Sequence, residues 1–355
     1  MHRSHATKRA RSARAASKSG RKNRAVKWVG LALATAAPAM AAGAAASPAL
    51  ATPQGGHSAH YQFQTINNGA DQTFNQLLGI NKRGVIAGYF GSGAMGHPNK
   101  GYLLFARQSP QRYLNENWPE STQTQVTGLN DRAVTVGFWS TMNAANQMND
   151  NRAFVSYRGL FVDGDYPTDN PASPPVDQLL GVNDNNVAVG FYNDGDGNTH
   201  AYSFNITRNQ FSEITPTGIR NPTAAGINSH GDVAGFGTDS TGDSSNGQVV
   251  GFLLRPGGQV TVLSVPGSSQ TQALGINDDR EVVGVYQVGT GDNAIMHGFT
   301  WTPQRGFQTV DDPNGVGATT INGVNDQGQL VGFYTDGDGN TDGLLATPAW
   351  QHHRG

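Results

Sequence analysis

Hydrophobic and polar positions alternate along most of this chain in short runs that recur at a nearly constant interval. The clearest run is 275–286, where a Gly-Ile-Asn turn precedes the β-branched residues of a Val-Val-Gly segment. Related runs give six copies, spaced 49, 53, 45, 49 and 48 residues apart. The copies begin at Gly79, Gly128, Gly181, Gly226, Gly275 and Gly323. A period near fifty is typical of a repeat architecture.

Each repeat predicts four strands. The first strand ends in Gly-(Ile/Leu/Val)-Asn, and a turn rich in Asp, Asn and Gly follows it. The second strand carries β-branched residues and then a glycine, which indicates that another backbone or ring comes close there. The third strand alternates apolar residues on one face, as at Tyr202 and Phe204, which is the period of a strand. The fourth strand opens with a residue such as Phe211, and no window shows a helical period.

The order of these strands predicts how the two ends of the repeat region meet. The fourth-strand pattern first occurs at 61–66, before any complete repeat, and the last repeat ends after its third strand at 344–347. In a circle of repeats the N-terminal strand completes the last blade, whereas an open array leaves edges unpaired. We therefore predict an all-β fold over residues 61–348, a six-bladed β-propeller of four-stranded antiparallel blades closed by the N-terminal strand.

The N-terminal region has the three parts of a secretory signal peptide. Residues 1–27 contain ten Lys or Arg and no acid, and an alanine-rich apolar run extends from Trp28 to Leu50 before a small-residue cleavage site. We predict a signal peptide over 1–51, flexible termini over 52–60 and 349–355, and an extracellular protein without a membrane span after cleavage. The alternative is an uncleaved membrane anchor, against which Pro38 and Pro48 argue.

Loss of this leader would make the remaining chain clearly acidic. The ten basic residues of 1–27 belong to the leader, so 14 of the 24 Lys and Arg residues remain against 26 Asp and Glu. Such a charge argues against binding nucleic acid or anionic lipid, and it leaves calcium, cationic surfaces and neutral glycans open. The chain has no cysteine, so disulfides and thiolate sites are excluded.

Two kinds of repeated motif resemble a known family. One is the Gly-Ile-Asn-Asp turn with its Val-Val-Gly strand, and the other is a His-(Ala/Gly)-aromatic start of the third strand. The motifs occur at Gly275–Asp278 with His297-Gly298-Phe299, and at Gly181–Asp184 with His200-Ala201-Tyr202. Over about 61–348 the chain resembles the HAF family of extracellular repeat proteins. The resemblance implies an exported propeller-like domain and no agreed activity.

The histidine position departs from that family pattern in four repeats. It holds Lys100, Arg152, Val250 and Asp342 there. Because the position accepts such different side chains, we interpret His200 and His297 as solvated strand starts rather than catalytic groups. The six asparagines that end the first strands are interpreted as caps of their own turns, with a polar ring near one face as the alternative.

Two loops contain alternating carboxylate and amide residues with intervening glycines, a composition able to wrap Ca²⁺. The predicted metal ligands are Asp194, Asp196 and Asn198 in the third repeat, and Asp336, Asp338, Asn340 and Asp342 in the sixth. The same residues are ordinary turn formers, so plain turns are the alternative. Calcium is the one cofactor that the sequence suggests.

The sequence leaves two hypotheses of function. The first is a monomeric extracellular binding or scaffold domain for a glycan or protein, favoured because no catalytic motif is found, so no catalytic residue is assigned. The second is a secreted polysaccharide hydrolase or lyase with its site on one propeller face. A carboxylate pair converging on the central cavity would favour the enzyme. Loop acids available for such a pair include Asp163, Asp165, Asp311 and Asp312.

Overall fold

The structure is a computed structural model that describes residues 61–349 except 95, 142–149 and 242–246. The predicted leader, the segment 52–60 and residues 350–355 lie outside the described residues. The described chain forms six four-stranded antiparallel sheets arranged as a six-bladed β-propeller, as predicted. No helix among these residues has the length and apolar character needed to cross a membrane.

The strands are numbered in chain order and grouped by blade. Blade 1 contains β2 (Asn75–Ile80), β3 (Val85–Phe90), β4 (Lys100–Phe105) and β5 (Arg112–Asn115). Blade 2 contains β6 (Gln123–Leu129), β7 (Val134–Ser140), β8 (Arg152–Tyr157) and β9 (Leu160–Asp163). Blade 3 contains β10 (Asp177–Val182), β11 (Val187–Asn193), β12 (Thr199–Asn205) and β13 (Gln210–Ile214).

The second half of the chain repeats this arrangement. Blade 4 contains β14 (Ile219–Ile227), β15 (Val233–Asp239), β16 (Val249–Leu254) and β17 (Val260–Leu263). Blade 5 contains β18 (Gln270–Ile276), β19 (Val282–Val288), β20 (Ile295–Thr302) and β21 (Gly306–Thr309), with a 3-10 turn at Gly291–Asn293. Blade 6 contains β22 (Thr319–Val324), β23 (Leu330–Thr335), β24 (Thr341–Pro348) and, from the other end of the chain, β1 (Tyr61–Thr65).

Strand β1 closes the ring, which confirms the prediction made from the strand count. It pairs antiparallel with β24, with Tyr61 opposite Pro348 and Thr65 opposite Leu344. Just beyond the strand, the backbone N–H of Ile66 donates to the carbonyl of Gly343 at 2.8 Å. The first and last repeats are thereby joined by backbone hydrogen bonds, and β24 is not left as an open edge.

The antiparallel order of each blade divides the molecule into two faces. The turns between strands one and two and between strands three and four lie at one end, which we call the turn face. The loops between strands two and three and the connections between blades lie at the other end, which we call the loop face. In four of the six turns between strands one and two, Asn, Asp and Gly provide most of the residues, and in the other two they provide half, as their turn chemistry requires.

The hydrophobic core lies between neighbouring blades. One cluster combines Val136 of blade 2 with Leu179 and Tyr202 of blade 3, all of them fully buried. The glycine of each second strand makes room for close contacts within its own blade. A Cβ at Gly137 would overlap the carbonyl oxygen of Gln125, and the Phe154 ring would lie 2.9 Å from it. This explains the glycine within each second strand.

The first glycine of each repeat lies against its counterpart in the next blade. A Cβ built on any one of them would lie 3.1 or 3.2 Å from the Cα of the next glycine, and the last contact returns to the first blade. The six glycines are Gly79, Gly128, Gly181, Gly226, Gly275 and Gly323. The inner strands therefore approach one another around the propeller axis with no room for side chains at this level.

Replacing Gly181 by Ala should destabilise the protein by about 1–3 kcal/mol, because the new methyl group would press on backbone atoms that cannot move independently. The nearest atoms are the carbonyl oxygen of Ala225 at 3.0 Å and Cα of Gly226 at 3.1 Å. Gly337→Ala is the matched control, since no atom lies within 4 Å of its Cβ position. Urea denaturation measures both variants. Equal midpoints for the two would contradict the close contact at the axis.

Candidate functional site

A closed ring of buried asparagines surrounds the axis next to the glycines. Nδ2 of Asn81 donates to the carbonyl oxygen of Asn130 at 3.2 Å, and Nδ2 of Asn130 donates to that of Asn183 at 2.9 Å. The bond recurs through the remaining blades until Asn325 donates to the carbonyl of Asn81 at 3.0 Å. Each asparagine therefore ties its own turn to the next blade.

The same asparagines also cap their own turns, as predicted. Oδ1 of Asn183 accepts the backbone N–H groups of Asn185 and Val187, each at 3.0 Å. Equivalent bonds occur in the other five turns. Each asparagine therefore caps its own turn and also belongs to a polar ring. The side-chain oxygen accepts bonds within the turn, and the side-chain nitrogen donates to the next blade.

The residue after each asparagine forms an axial charged ring on the turn face. Its members are Lys82, Asp131, Asp184, Ser229, Asp278 and Asp326. Nζ of Lys82 lies 3.1 Å from Asp326, 3.2 Å from Asp278 and 3.6 Å from Asp184. Sequence reasoning missed this arrangement, although Lys82 stands out as the single basic residue at a position that is otherwise Asp or Ser.

The charges in the axial charged ring perturb one another. The hydrogen bonds that Lys82 donates to Asp326 and then to Asp278 raise the pKa of Lys82. Burial, followed by repulsion from Asp184, raises the pKa of Asp131. Burial acts to raise the pKa of Asp278 as well, but hydrogen bonds from the Ser229 N–H and from Lys82 outweigh it and lower that pKa. Lys82 is therefore the counter-ion of the ring.

The axial cavity beside this ring is too small for a sugar ring. Its volume is about 70 Å³, which is roughly the room of two waters. Backbone N–H groups of neighbouring blades also donate to the carboxylates, as from Lys82 to Asp131 at 3.0 Å and from Asp131 to Asp184 at 2.9 Å. Carboxylates do converge on the axis here, but in a cavity that does not fit the substrate of a polysaccharide-degrading enzyme.

The loop face has a different set of groups, built on one cross-strand pair in each blade. In each blade, the residue two positions after the glycine of the second strand lies opposite the residue at the histidine position of the third strand. The pairs are Phe90–Lys100, Trp139–Arg152, Tyr192–His200, Gly237–Val250, Tyr286–His297 and Tyr334–Asp342. Five of the six blades therefore place an aromatic ring opposite a charged or titratable side chain.

Blades 2 and 3 extend this pair into a stack of rings. Trp118 stacks on Trp139 with centroids 4.7 Å apart, and Tyr166 stacks on Tyr192 at 4.5 Å. Tyr192 stacks in turn on His200 at 4.9 Å. Trp118 and Tyr166 come from the connections that lead into these blades, and each directly precedes a proline. That aromatic-Pro pair was the sequence signal for the stacks, and sequence reasoning did not use it.

The histidine position is a paired position rather than a freely solvated one, which corrects the interpretation from the sequence. Nε2 of His200 lies 2.9 Å from Oδ2 of Asp194, and Nδ1 of His297 lies 2.7 Å from Oδ2 of Asp311. The side chains of these histidines are 35% and 22% exposed. The reason is local, because the adjacent loop or the end of strand four brings a carboxylate beside the third strand.

The connection into blade 3 groups several acids. Oδ1 of Asp163 accepts the N–H of Asp165 at 3.0 Å, and Asp165 pairs with Arg152 at 3.1 Å. Burial, with repulsion from Asp163, raises the pKa of Asp165 to about 6. Burial also raises the pKa of Asp177, which accepts a hydrogen bond from the Tyr202 hydroxyl. Of the loop acids available for a carboxylate pair, Asp163 and Asp165 lie side by side here.

The other two loop acids lie in blade 5 and its connection to blade 6. Asp311 holds His297, and Asp312 is buried and accepts the N–H of Asn314 at 2.8 Å. The two acidic pairs therefore belong to separate parts of the ring.

The two faces differ in charge. Among the described side chains, assigned to the nearer end of their blade, the loop face has 17 acidic and three basic residues, while the turn face has seven acidic and ten basic ones. The loop-face acids are Asp71, Glu116, Glu120, Asp150, Asp163, Asp165, Asp169, Asp177, Asp194, Asp196, Glu213, Asp239, Asp311, Asp312, Asp336, Asp338 and Asp342, and its basic residues are Lys100, Arg152 and Arg220. The acidity of the chain is therefore concentrated on one face.

The two Asp-Gly loops use their first carboxylate as a turn cap. Oδ1 of Asp336 accepts the N–H groups of Asp338 and Asn340 at 2.9 and 2.8 Å, and Oδ2 accepts Nδ2 of Asn340 at 2.9 Å. Asp194 makes the same bonds in blade 3, to Asp196 and Asn198.

The remaining predicted metal ligands are not gathered around these caps. Oδ1 of Asp342 accepts Nδ2 of Asn67 at 2.7 Å, and a carboxylate oxygen of Asp196 accepts Nδ2 of Asn170 at 3.2 Å. Across the described part of the chain, no group of three or more His, Cys, Asp or Glu residues is arranged to hold a metal ion. Calcium binding by these loops stays a prediction.

Comparison with known proteins adds no family and no activity. No family model matches the sequence, and no curated protein matches it. Solved structures of similar shape include TolB from Acinetobacter baumannii, with a TM-score of 0.45, 10% identity and coverage of 78% of this chain and 64% of that one. This chain therefore spans less than two thirds of the TolB chain.

Two further structures are similar to the same degree. A gluconolactonase from Xanthomonas campestris has a TM-score of 0.46, 11% identity and coverage of 81% of this chain and 90% of that one. A sialidase from Trypanosoma rangeli has a TM-score of 0.45, 9% identity and coverage of 78% and 54%. At these values the similarities carry no argument about ligand or reaction.

Replacing Lys82 by Met should lower stability most near neutral pH. Because folding raises the pKa of Lys82, the stability that its charge contributes is fully present below the ordinary lysine pKa. That stability is lost as pH rises through the folded-state pKa. Because folding lowers the pKa of Asp278, the stability that its charge contributes is fully present above the ordinary aspartate pKa. That stability is lost as pH falls through the folded-state pKa. The stabilising window is therefore about pH 4 to 10.

Because the Lys82 side chain is 41% exposed, we expect solvent screening to limit the loss at pH 7 to about 1 kcal/mol. Lys100→Met is the control, since Nζ of Lys100 donates to the carbonyl oxygen of Thr122 at 3.0 Å instead of contacting the ring. Thermal unfolding from pH 3 to pH 8 measures both. A Lys82→Met deficit as large at pH 3 as at pH 7 would contradict the ion-pair role.

Calcium at millimolar concentration should raise the melting temperature if the Asp-Gly loops bind it. Asp338→Asn should then remove most of the rise while leaving the calcium-free melting temperature unchanged, because the internal bonds of the blade 6 loop run through Asp336. Asp336→Ala should lower the calcium-free stability by about 1 kcal/mol through loss of the cap. Differential scanning calorimetry with and without calcium distinguishes these roles. A parent protein that shows no rise would leave the loops as plain turns.

Proposed function

We propose that this protein is an exported, extracellular binding domain that captures a glycan or protein ligand on its loop face. The observation that carries the proposal is the concentration of varied chemical groups on that face. Aromatic rings, titratable side chains and most acids lie there, while the axis is filled by backbone contacts and paired charges. Binding surfaces combine aromatic area with polar groups in this way.

Location and oligomeric state belong to the same proposal. The basic and apolar pattern of 1–51 supports export through a signal peptide, and the motifs shared with HAF repeat proteins support an extracellular role. A ring whose last blade is completed to four strands by β1, like the other five blades, supports a monomer. The acid excess of the loop face makes nucleic acid a poor ligand, since phosphates would be repelled.

A polysaccharide hydrolase or lyase is the alternative, and one observation favours it. Asp165, whose pKa is raised to about 6, lies beside Asp163 at the loop face. A carboxyl group that titrates near neutral pH is suited to general acid catalysis. Asp165 is also paired with Arg152 and accepts the N–H of Ala153 at 2.7 Å, so its present contacts serve to hold β8.

Ligand capture by the protein without its leader should depend on the ring stack of blade 2. The protein would be tested on arrays of glycans and of extracellular proteins, and Trp139→Ala should weaken binding of the captured ligand at least about tenfold, since Trp139 provides aromatic area in the ring stack. Trp301→Ala is the matched control, because Trp301 lies at the turn-face end of β20.

Equal loss in both variants, or loss in Trp301→Ala alone, would contradict the proposed face. Steady release of product from a polysaccharide, abolished by Asp165→Asn, would replace the binding function with the enzymatic one.

A further inference from the structure

A half-enclosed cavity of about 110 Å³ opens on the loop face where blade 3 meets blade 4. Five of its eight lining residues are apolar. Ile214 and Ile219 contribute buried side chains, and Pro216, Pro222 and Ala201 complete the apolar part of the wall. This cavity is separate from the axis, because strands β12, β13 and β14 form it rather than the turns of the axial charged ring.

One carboxylate dominates the polar part of this cavity. Glu213 lines it and is exposed there, and one of its oxygens accepts the Tyr192 hydroxyl at 3.0 Å. The other two polar residues in the lining are Thr215 and His200, and the imidazole of His200 is held by the carboxylate of Asp194 at 2.9 Å. None of the residues that line the cavity is a lysine or an arginine. Its charge is therefore set by an anion that lacks a cationic partner in the lining.

The surroundings add to the attraction for a cation. The cavity lies on the face that has 17 acidic and three basic side chains among the described residues. A surface with one dominant sign of charge raises the local concentration of oppositely charged ligands and speeds their association. The negative charge of the loop face and the carboxylate of Glu213 therefore both favour a positively charged ligand.

The size of the cavity restricts which cation can enter. A volume of 110 Å³ is about the liquid volume of three to four waters, or roughly four heavy atoms of a ligand. The end of a lysine side chain, with its methylene groups and ammonium, has this size and matches an apolar wall with one carboxylate. A whole sugar ring is larger. A guanidinium group pairs best with both oxygens of a carboxylate, and one oxygen of Glu213 already accepts the Tyr192 hydroxyl.

We infer that the cavity is a lysine pocket, in which the partner is a basic protein that inserts a lysine side chain against Glu213. This inference deepens the proposed binding function and rests on it, since it chooses a protein partner over a glycan. The ammonium group pairs with Glu213, the methylene groups contact Ile214 and Ile219, and the acidic loop face contacts the basic surface around the inserted lysine.

The test compares three peptides of one length with alternating glycine and a second residue, which is lysine, arginine or Nε-acetyl-lysine. Isothermal titration of the leaderless protein should show that the lysine peptide binds at least about tenfold more tightly than either of the others. Glu213→Gln, which removes the charge, and Thr215→Trp, which fills the mouth, should each abolish that preference. Glu120→Gln is the matched control, because it removes one exposed acid from the same face away from the cavity.

Each outcome of these titrations either supports the lysine pocket or overturns it. Equal affinity for the lysine and arginine peptides, or a preference that survives both Glu213→Gln and Thr215→Trp, would show that only the charge of the face matters. Tighter binding of a glucosamine hexamer, lost in Glu213→Gln, would assign the cavity to an amino sugar instead. Melting temperatures within a few degrees of the parent's confirm that both variants fold.

The outcome is separable from the proposed function. A ligand that is captured through Trp139 without any lysine preference would overturn the lysine pocket and leave the loop-face binding domain standing. Failure of every glycan and protein to bind through the loop face would overturn both.

Discussion

Direct backbone contact among six inner strands at the axis is the constraint on which the rest of this propeller depends. The strands come so close that only glycine fits at the contact, and the residue two positions later must satisfy a carbonyl group of the neighbouring blade. Asparagine meets that demand because its oxygen caps its own turn while its nitrogen reaches the next blade. An unpaired carbonyl buried at this place would cost about 1–3 kcal/mol, so the pattern recurs in all six blades.

The repeats differ in charge at the next residue, which forms the axial charged ring, because the asparagine already satisfies the neighbouring carbonyl group. Aspartate in all six blades would crowd six negative charges around a small cavity. The chain avoids this by placing Ser229 in blade 4 and Lys82 in blade 1. Lys82 then contacts carboxylates from blades 3, 5 and 6, so a residue near the start of the ring connects parts that lie far away in the sequence.

Because the axis and the strand pairing provide the stability, the loop face is free to differ between blades. One cross-strand position holds Lys, Arg, His, Val or Asp, and the partner of each is adjusted locally, as with Asp165 for Arg152 and Asp194 for His200. Proteins usually place binding groups on loops that a rigid scaffold holds in position. The acid excess and the cavity beside Glu213 lie on this variable face, which is why both proposals concern it.

The sequence by itself determined the number of blades, the four strands in each, the closing strand and the turn caps. These features depend on residues that are near one another in the chain, such as Asn183 with Val187, or on a simple count of repeated patterns. Even the exchange of Lys for Asp at one repeat position was visible, although its consequence was not.

Only the tertiary structure decided which side chains meet between blades. The hydrogen bond from Asn325 to Asn81, the contact of Lys82 with Asp326 and the stack of Trp118 on Trp139 join residues whose distance follows from the radius and tilt of the blades. The pairing of His200 with Asp194 depends on the shape of one hairpin loop, and the cavity at Glu213 depends on how blade 3 meets blade 4. Periodicity fixes the face on which a side chain lies, but packing between blades fixes what that side chain touches.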